Sequence, residues 1–240
     1  MKKKRIIRIA LLVPIFIVIM IIMLITANYF GLLPRSVYYG KHFGIETIKS
    51  EIDFNNNGID DYTDIMLGAR KDAENHPTYD SRYWSSGYPP EDIGVCTDVV
   101  WRAFKNAGYS LRDMVDTDIQ NRPESYPNIT TRDYNIDFRR VINLHVFFEK
   151  YAVSLSTDIN EIECWQPGDI VIFDDDQHIG IVSDKRNKEG KTFIIHNGGQ
   201  SKREEDLFSR TESEVTAHYR FDASLIPKEV LVAFSERDEQ

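Results

Sequence analysis

The chain has 240 residues, of which 42% are hydrophobic and 12% are aromatic, enough for one or two folded domains with a sizeable core. Its formal net charge of -9 gives no reason to expect a nucleic acid as partner. The two cysteines are Cys96 and Cys164. A disulfide between them, which is possible outside the cytoplasm, is the structural alternative to a reactive thiol.

The N-terminus combines a basic cluster with a long apolar stretch. No charged residue occurs from Ile9 through Pro34, and a helix needs about 20 apolar residues to cross a bilayer. Residues 1–34 are therefore predicted to form a basic cytoplasmic tip and one transmembrane helix, which anchors the chain in the lipid bilayer with the remainder outside the cytoplasm. A cleaved signal peptide is the alternative, but Ile25 stands where a small residue would precede a cut after Ala27. The basic residues are Lys2, Lys3, Lys4, Arg5 and Arg8.

Residues 35–50 have no pattern and are interpreted as a linker, and residues 51–240 as one extracytoplasmic domain. Helical spacing of apolar residues predicts helices at 62–73, 96–107 and 143–151. Short runs rich in β-branched residues, bounded by turn residues, predict the strands. Helices followed by strands indicate an α+β domain with an antiparallel sheet. The predicted strands are Asp169–Phe173, His178–Ser183, Thr192–His196 and Val230–Phe234.

Residues 53–64 fit the twelve-position calcium-binding loop, with Gly58 at its sharp turn and a helix following it. The pattern predicts a structural Ca²⁺ ion that braces the edge of the domain. An Asn- and Gly-rich turn in which Asp60 or Asp61 caps the helix is the alternative, and it needs no metal. The predicted ligands are Asp53, Asn55, Asn57, the Ile59 carbonyl, Asp61 through a water, and Asp64.

Cys96 is predicted at the N-terminus of an amphipathic helix. The positive end of the helix dipole favours the thiolate, which is the nucleophilic form of cysteine. Cys164 precedes a strand and has no comparable setting. Cys96 is therefore the predicted nucleophile.

A nucleophilic cysteine requires a base, usually histidine, and a third polar group that orients the base. His178 opens one predicted strand and His196 closes the next. If the two strands form a hairpin through the turn at 187–190, both rings reach the same edge of the sheet. His178 is the predicted base and His196 the orienting residue, with Asn197 as the alternative.

The combination of motifs resembles the NlpC-type cell-wall peptidases, which are papain-like cysteine hydrolases that cut peptide bonds in peptidoglycan. The resemblance implies a papain-like fold, in which the helix bearing Cys96 packs on an antiparallel sheet, and it matches Cys96, His178 and His196 to the nucleophile, the base and the third polar residue. More narrowly, roughly residues 55–235 resemble a bacterial family of domains of unknown function, number 1287. The motifs that carry the likeness are Gly94–Val100, Trp165–Phe173, His178–Val182, Ile195–Gly199 and Ala217–Phe221.

The function expected from these observations is that of a membrane-anchored cysteine amidase or endopeptidase acting on peptidoglycan peptides or another amide of the cell envelope, without a catalytic cofactor. The Cys96 thiolate would attack the carbonyl, and His178 would protonate the leaving amine. The Cys96 backbone N–H is an expected oxyanion donor, and Tyr88 is a weaker candidate for the second. A non-catalytic envelope-binding module of the same fold and a cysteine acyltransferase remain as alternatives.

Overall fold

A computed structural model of the chain describes residues 2–29 and 36–235, with side chains in the first stretch described for residues 13–27. The chain divides into two units, Met1–Ser36 and Val37–Gln240. The first unit contains helix α1 (Lys2–Tyr29). Over the described part of the chain, no helix is both long enough and apolar enough to cross a membrane. Residues 1 and 30–34 of the predicted anchor lie outside the described residues.

The second unit contains four α-helices among its described residues: α2 (Asp61–Asn75), α3 (Cys96–Asn106), α4 (Leu111–Asn121) and α5 (Val141–Tyr151). The helices expected at 62–73, 96–107 and 143–151 are confirmed to within two residues at each end, whereas α4 was not predicted. The Asp60 side chain caps α2 by accepting a hydrogen bond from the N–H of Thr63.

The main sheet is antiparallel throughout, as predicted, and its hydrogen-bonded order is β4-β9-β5-β6-β7-β8, with β1 pairing to β6. Two further strands, β2 and β3, form a separate parallel pair. The protein is therefore a mixed α+β fold. The strands are β1 (Tyr38–Tyr39), β2 (Thr78–Tyr79), β3 (Ile93–Gly94), β4 (Val153–Ser154), β5 (Ile170–Phe173), β6 (His178–Arg186), β7 (Thr192–Ile195), β8 (Glu204–Glu205) and β9 (Val215–Arg220).

Two segments differ from the sequence-based expectation. The prediction of a sheet strand at 230–234 is wrong, because this segment packs on the loop after α3 instead of joining the sheet. The Ser110 N–H donates to the carbonyl of Val232 at 2.8 Å, and the Phe234 N–H donates to the carbonyl of Gly108 at 2.8 Å. Within the expected linker, residues 38–39 form β1 on the main sheet.

Both faces of the main sheet are covered. Ile170 and Ile172 in β5 contribute to the core shared with the helices, while Val171 and Phe173 contribute to a smaller cluster on the opposite face. This burial on both faces explains why the strands read as continuous apolar runs. Helices α2 and α3 approach closely at Gly68, where a Cβ atom would lie 2.5 Å from the Asn106 Cβ atom.

Candidate active site

Cys96 is the first residue of α3, and a buried ion pair fixes the start of this helix. The Asp98 carboxylate accepts hydrogen bonds from the backbone N–H of Val95 at 2.7 Å and from the indole N–H of Trp101 at 2.8 Å. It also accepts two bonds from the Arg139 guanidinium, at 2.7 and 2.9 Å. Because Asp98 and Arg139 are buried, the position of the Cys96 backbone depends on this cluster.

The Cys96 thiol is buried, with 7% of the residue exposed. Burial raises the pKa of Cys96 to about 11; the backbone N–H groups of Ile179 and Thr97 act against this rise, and the charge of Asp98 adds to it. The expectation of a preformed thiolate is therefore wrong for the resting protein, because desolvation of the charged form outweighs the helix dipole. Cys96 and Cys164 are both free cysteines, so the alternative of a disulfide does not hold.

The two predicted histidines meet where strand β6 begins and strand β7 ends. His178 opens β6 and His196 follows β7, and these strands pair with Ile181 opposite Ile195. The Nε2 atom of His178 lies 2.8 Å from the Nδ1 atom of His196, with the ring planes at 85° to each other. The hairpin expected from the sequence thus brings the two rings into hydrogen-bond contact.

Both rings are neutral at pH 7. Burial lowers the pKa of His178 to about 3; the neighbouring His196 adds to this fall and Asp174 opposes it. Burial also lowers the pKa of His196 to about 4, with the positive charges of Arg203 and Arg210 adding to the effect. The low pKa values follow from the cost of placing a charged imidazolium away from water.

The Cys96 thiol lies beside the start of β6. Helix α3 packs against this strand, and the N–H group that interacts with the thiol belongs to Ile179, the residue after His178. The Nε2 atom of His178 is engaged by His196, so Nδ1 is the ring nitrogen that does not contact His196. The N–H of Ile179 thus connects the thiol at the start of α3 to the strand that His178 opens.

Asn197, the alternative third residue, has a different role. Its side-chain amide is buried and donates to the carbonyls of Pro77 at 3.3 Å and Gly94 at 3.0 Å. Its oxygen accepts from the N–H of Gly199 at 3.1 Å. Asn197 therefore joins the loops around the site, and His196 is the residue that contacts His178.

Tyr88, the candidate oxyanion donor, is a packing residue instead. It is 7% exposed, and its ring lies 4.6 Å from that of Trp101 and 5.5 Å from that of Phe138. The Arg112 guanidinium covers its face at 4.2 Å from the ring centre. The sequence suggested a donor only from the position of Tyr88 upstream of Cys96, and burial among aromatic side chains contradicts that role.

Tyr79 is a residue near the site that the sequence did not reveal. It lies in β2, opposite Gly94 of β3, and is 47% exposed. Its pKa is raised, first by burial and then by the proximity of Cys96. Tyr79 therefore places a phenol hydroxyl in the neighbourhood of the thiol. A two-residue strand is too short to show a period in the sequence, so no local signal marked it.

The predicted calcium loop draws together four of its six proposed ligands. The Asp53 carboxylate accepts hydrogen bonds from the backbone N–H groups of Asn57 at 3.0 Å and Gly58 at 2.8 Å. The side-chain amides of Asn55 and Asn57 donate to Asp64 at 2.9 and 2.7 Å. These contacts form a compact turn around one carboxylate of α2.

Of the other two proposed ligands, Asp61 fits less well. The Asp61 carboxylate accepts from the N–H of Phe54 at 2.9 Å and from the hydroxyl of Tyr109 at 2.5 Å, so both of its oxygens are engaged. The N–H of Ile59 donates within the loop at 2.8 Å. Across residues 2–29 and 36–235, no group of three or more His, Cys, Asp or Glu side chains could hold a metal ion. Calcium binding stays a prediction.

If the loop binds Ca²⁺, the ion is expected to stabilise the folded protein. A ligand at ten times its Kd adds about 1.4 kcal/mol to the free energy of unfolding. Thermal unfolding with 10 mM CaCl₂ should therefore show a higher midpoint than with 10 mM MgCl₂, and Asp53→Ala should abolish the difference. Asp158→Ala, in an exposed Asx turn, is the control. Equal midpoints in both salts would contradict calcium binding.

A cavity of about 560 Å³ lies between α2 and α3. It is lined by Lys71 and Asp72 from α2, by Trp101 and Arg102 from α3, and by Pro89 among others. The three residues predicted to be catalytic do not line this cavity.

The fold is an α+β domain that holds a buried cysteine at the start of α3 and two histidines in contact with each other where β6 begins and β7 ends. Residues 66–221 match the sequence model of the DUF1287 family, which is described as a domain of unknown function. An uncharacterized protein of Escherichia coli (strain K12), YijF, is 35% identical over 167 residues, which cover 65% of this chain and 80% of that protein. The chain belongs to the DUF1287 family, a placement that confirms the narrower of the two resemblances. No solved structure matches it.

The family match bears on the two predicted sites differently. Cys96, His178 and His196 all lie within the matched residues 66–221, whereas the calcium-type loop at 53–64 precedes them. The thiol and the two imidazoles are therefore part of the domain that defines the family.

Proposed function

We propose that the protein is a cysteine hydrolase, an amidase or endopeptidase, in which Cys96 is the nucleophile and His178 the base. The observation that carries the proposal is the contact of 2.8 Å between His178 and His196, on a strand whose next residue, Ile179, directs its backbone N–H to the Cys96 thiol at the start of α3. A base held by a third polar group next to a thiol is the arrangement that nucleophilic catalysis requires.

The proposed reaction starts from a neutral Cys96 thiol and a neutral His178 imidazole. As the Cys96 sulfur attacks the amide carbonyl, the thiol proton passes to the Nδ1 atom of His178. The first backbone N–H groups of a helix have no partner within the helix, so the Cys96 N–H is available to stabilise the oxyanion. His178 then gives its proton to the leaving amine as the C–N bond breaks. A water molecule, deprotonated by His178, cleaves the thioester and restores the thiol.

The substrate class and the cellular location belong to the same proposal. The likeness of the motifs to the NlpC-type peptidases, with their papain-like fold, favours a peptidoglycan peptide or another envelope amide as substrate. The basic cluster followed by apolar residues in the sequence favours a single membrane anchor with the domain outside the cytoplasm. Surface proteolysis of intact cells that express the chain tests the location, since only an external domain is cleaved.

Cys96→Ala is expected to reduce cleavage of purified wall fragments by at least about 10³-fold, because it removes the atom that forms the covalent intermediate. Cys164→Ala is the matched control and is expected to retain full activity. Released peptides would be quantified by mass spectrometry, with circular dichroism as the test of folding. Equal cleavage by the wild type and Cys96→Ala would contradict the proposal.

The burial of Cys96 and its raised pKa favour a second candidate, a non-catalytic module that binds envelope fragments. In that case Cys96→Ala would bind wall fragments as tightly as the wild type, and neither protein would cleave them. Alkylation of the thiol in a Cys164→Ser background separates the candidates further. If wall fragments change the alkylation rate of Cys96, the ligand sits at the thiol, as the hydrolase requires.

A further inference from the structure

We propose that Glu205 is a positioning residue that fixes which ring nitrogens of His196 and His178 carry a proton. This inference rests on the proposed role of His178 as the base for Cys96. It assigns a task to a buried carboxylate that lies two side chains away from the thiol and that the sequence did not single out.

Glu205 reaches the site from β8, which pairs with β7 so that Glu205 stands opposite Ile194. Its Oε1 atom lies 3.3 Å from the Nε2 atom of His196, and both side chains are about 95% buried, with exposures of 5% and 6%. The Arg210 guanidinium forms an ion pair with the other oxygen of Glu205. Arginine is always a cation, so Arg210 supplies the counter-charge that a buried carboxylate requires.

The positions of the protons follow from the chemistry of the groups. An ionised carboxylate can only accept a hydrogen bond, so Glu205 selects the form of His196 that carries its proton on Nε2. The Nδ1 atom of His196 is then an acceptor, and the Nε2 atom of His178, 2.8 Å away, must donate to it. A neutral imidazole carries a single proton. The Nδ1 atom of His178 is therefore bare and can accept the proton of Cys96.

Gln200 is the group that competes for His196. Its oxygen accepts from the N–H of Gly198 at 2.7 Å, which turns its amide nitrogen towards His196. That nitrogen lies 3.0 Å from the His196 carbonyl, 3.2 Å from the ring Nε2 atom and 3.3 Å from the ring Nδ1 atom. If Gln200 donated to Nε2 of His196, the proton of His196 would move to Nδ1 and would be donated to Nε2 of His178. The proton of His178 would then lie on its Nδ1 atom. The carboxylate prevails because hydrogen bonds to a charged group are about twice as strong as neutral ones.

The same contacts also bear on the positive charge that forms on His178 during the reaction. When His178 takes the thiol proton, the new positive charge is one imidazole away from Glu205. Asp174 also favours a charged His178, whereas Arg203 and Arg210 disfavour charge on His196. Glu205 is the carboxylate that lies against His196, 3.3 Å from its Nε2 atom.

The test is ¹⁵N NMR of the imidazoles at pH 7, with assignments from His178→Gln and His196→Gln. In the wild type, we expect the proton of each ring on Nε2. In Glu205→Gln, whose amide can also donate, we expect the reversed forms to be populated and cleavage to fall by at least about tenfold. Glu205→Asp should recover the wild-type pattern in part. Glu204→Gln is the matched control, because Glu204 pairs with Arg70 and Lys185 in the same strand.

A wild-type spectrum with the proton of His178 on Nδ1 would overturn the proposal, as would unchanged spectra in Glu205→Gln. Its failure is distinguishable from that of the proposed function, because the spectra report proton positions whether or not a substrate is cleaved. If the spectra follow Glu205 but Cys96→Ala cleaves as the wild type does, the hydrolase assignment fails while the control of the proton positions stands.

Discussion

Asp98→Ala is expected to lower the free energy of unfolding by about 3–5 kcal/mol, because it leaves the buried Arg139 guanidinium without its counter-charge. The substitution also removes the acceptor for the N–H of Val95 at the start of α3 and for the indole of Trp101. A loss of this size is a large part of the stability of a typical domain. Urea unfolding followed by circular dichroism measures it.

Arg132→Ala is the matched control for this prediction. Arg132 forms an ion pair of 2.6 Å with Asp116, but its side chain is 46% exposed, against 2% for Arg139. An exposed pair contributes about 0–1 kcal/mol. The double variant Asp98→Leu with Arg139→Met, which leaves no buried charge, should be more stable than Asp98→Ala. Similar losses for Asp98→Ala and Arg132→Ala would show that the pair near Cys96 does not support the start of α3.

Lowering the pH from 6.5 towards 4 is expected to destabilise the protein through His178 and His196. Their pKa values in the folded protein, about 3 and about 4, lie below the ordinary value of 6.5. The unfolded chain therefore takes up protons first, and the stability present above pH 6.5 is lost as the pH falls through this window. Each histidine can contribute a slope of up to about 1.4 kcal/mol per pH unit.

The double variant His178→Gln with His196→Gln tests this contribution, because it removes both imidazoles and keeps every carboxylate of the wild type. Its free energy of unfolding, measured in urea at pH 7.0, 6.0 and 5.0, should fall less steeply than that of the wild type. Replacement of the exposed His42 by Gln is the control. Equal slopes for the wild type and the double variant would mean that the two imidazoles are not held neutral.

The strongest features of the fold were readable because they are local. The apolar spacing in α3 and the β-branched runs of β5, β6 and β7 each depend on neighbours a few residues away. The turn at 187–190 then sufficed to predict that His178 and His196 meet. Helix α4 also carries a helical pattern, with Leu111, Met114 and Val115 buried on one face, but its many aspartates obscured it. The segment at 230–234 shows the reverse error, since β-branched residues there pack against the core without joining the sheet.

The remaining features of the site depend on contacts distant in sequence. The pKa of Cys96 is set by burial under elements that the local pattern does not describe, so the helix dipole alone gave the wrong direction. Asp98 meets Arg139 41 residues further along the chain. Tyr79 comes near Cys96 only because β2 pairs with β3, and Glu205 reaches His196 only because β8 joins β7.

The two edge strands of the main sheet affect how the protein associates at high concentration. Its outermost strands, β4 and β8, are two residues long, so each end offers few backbone groups to a strand from another molecule. Short terminal strands are a known protection against edge-to-edge association. The buried central strands β5 and β7 are thereby shielded from becoming templates for aggregation, and the folded domain should remain monodisperse at high local concentration.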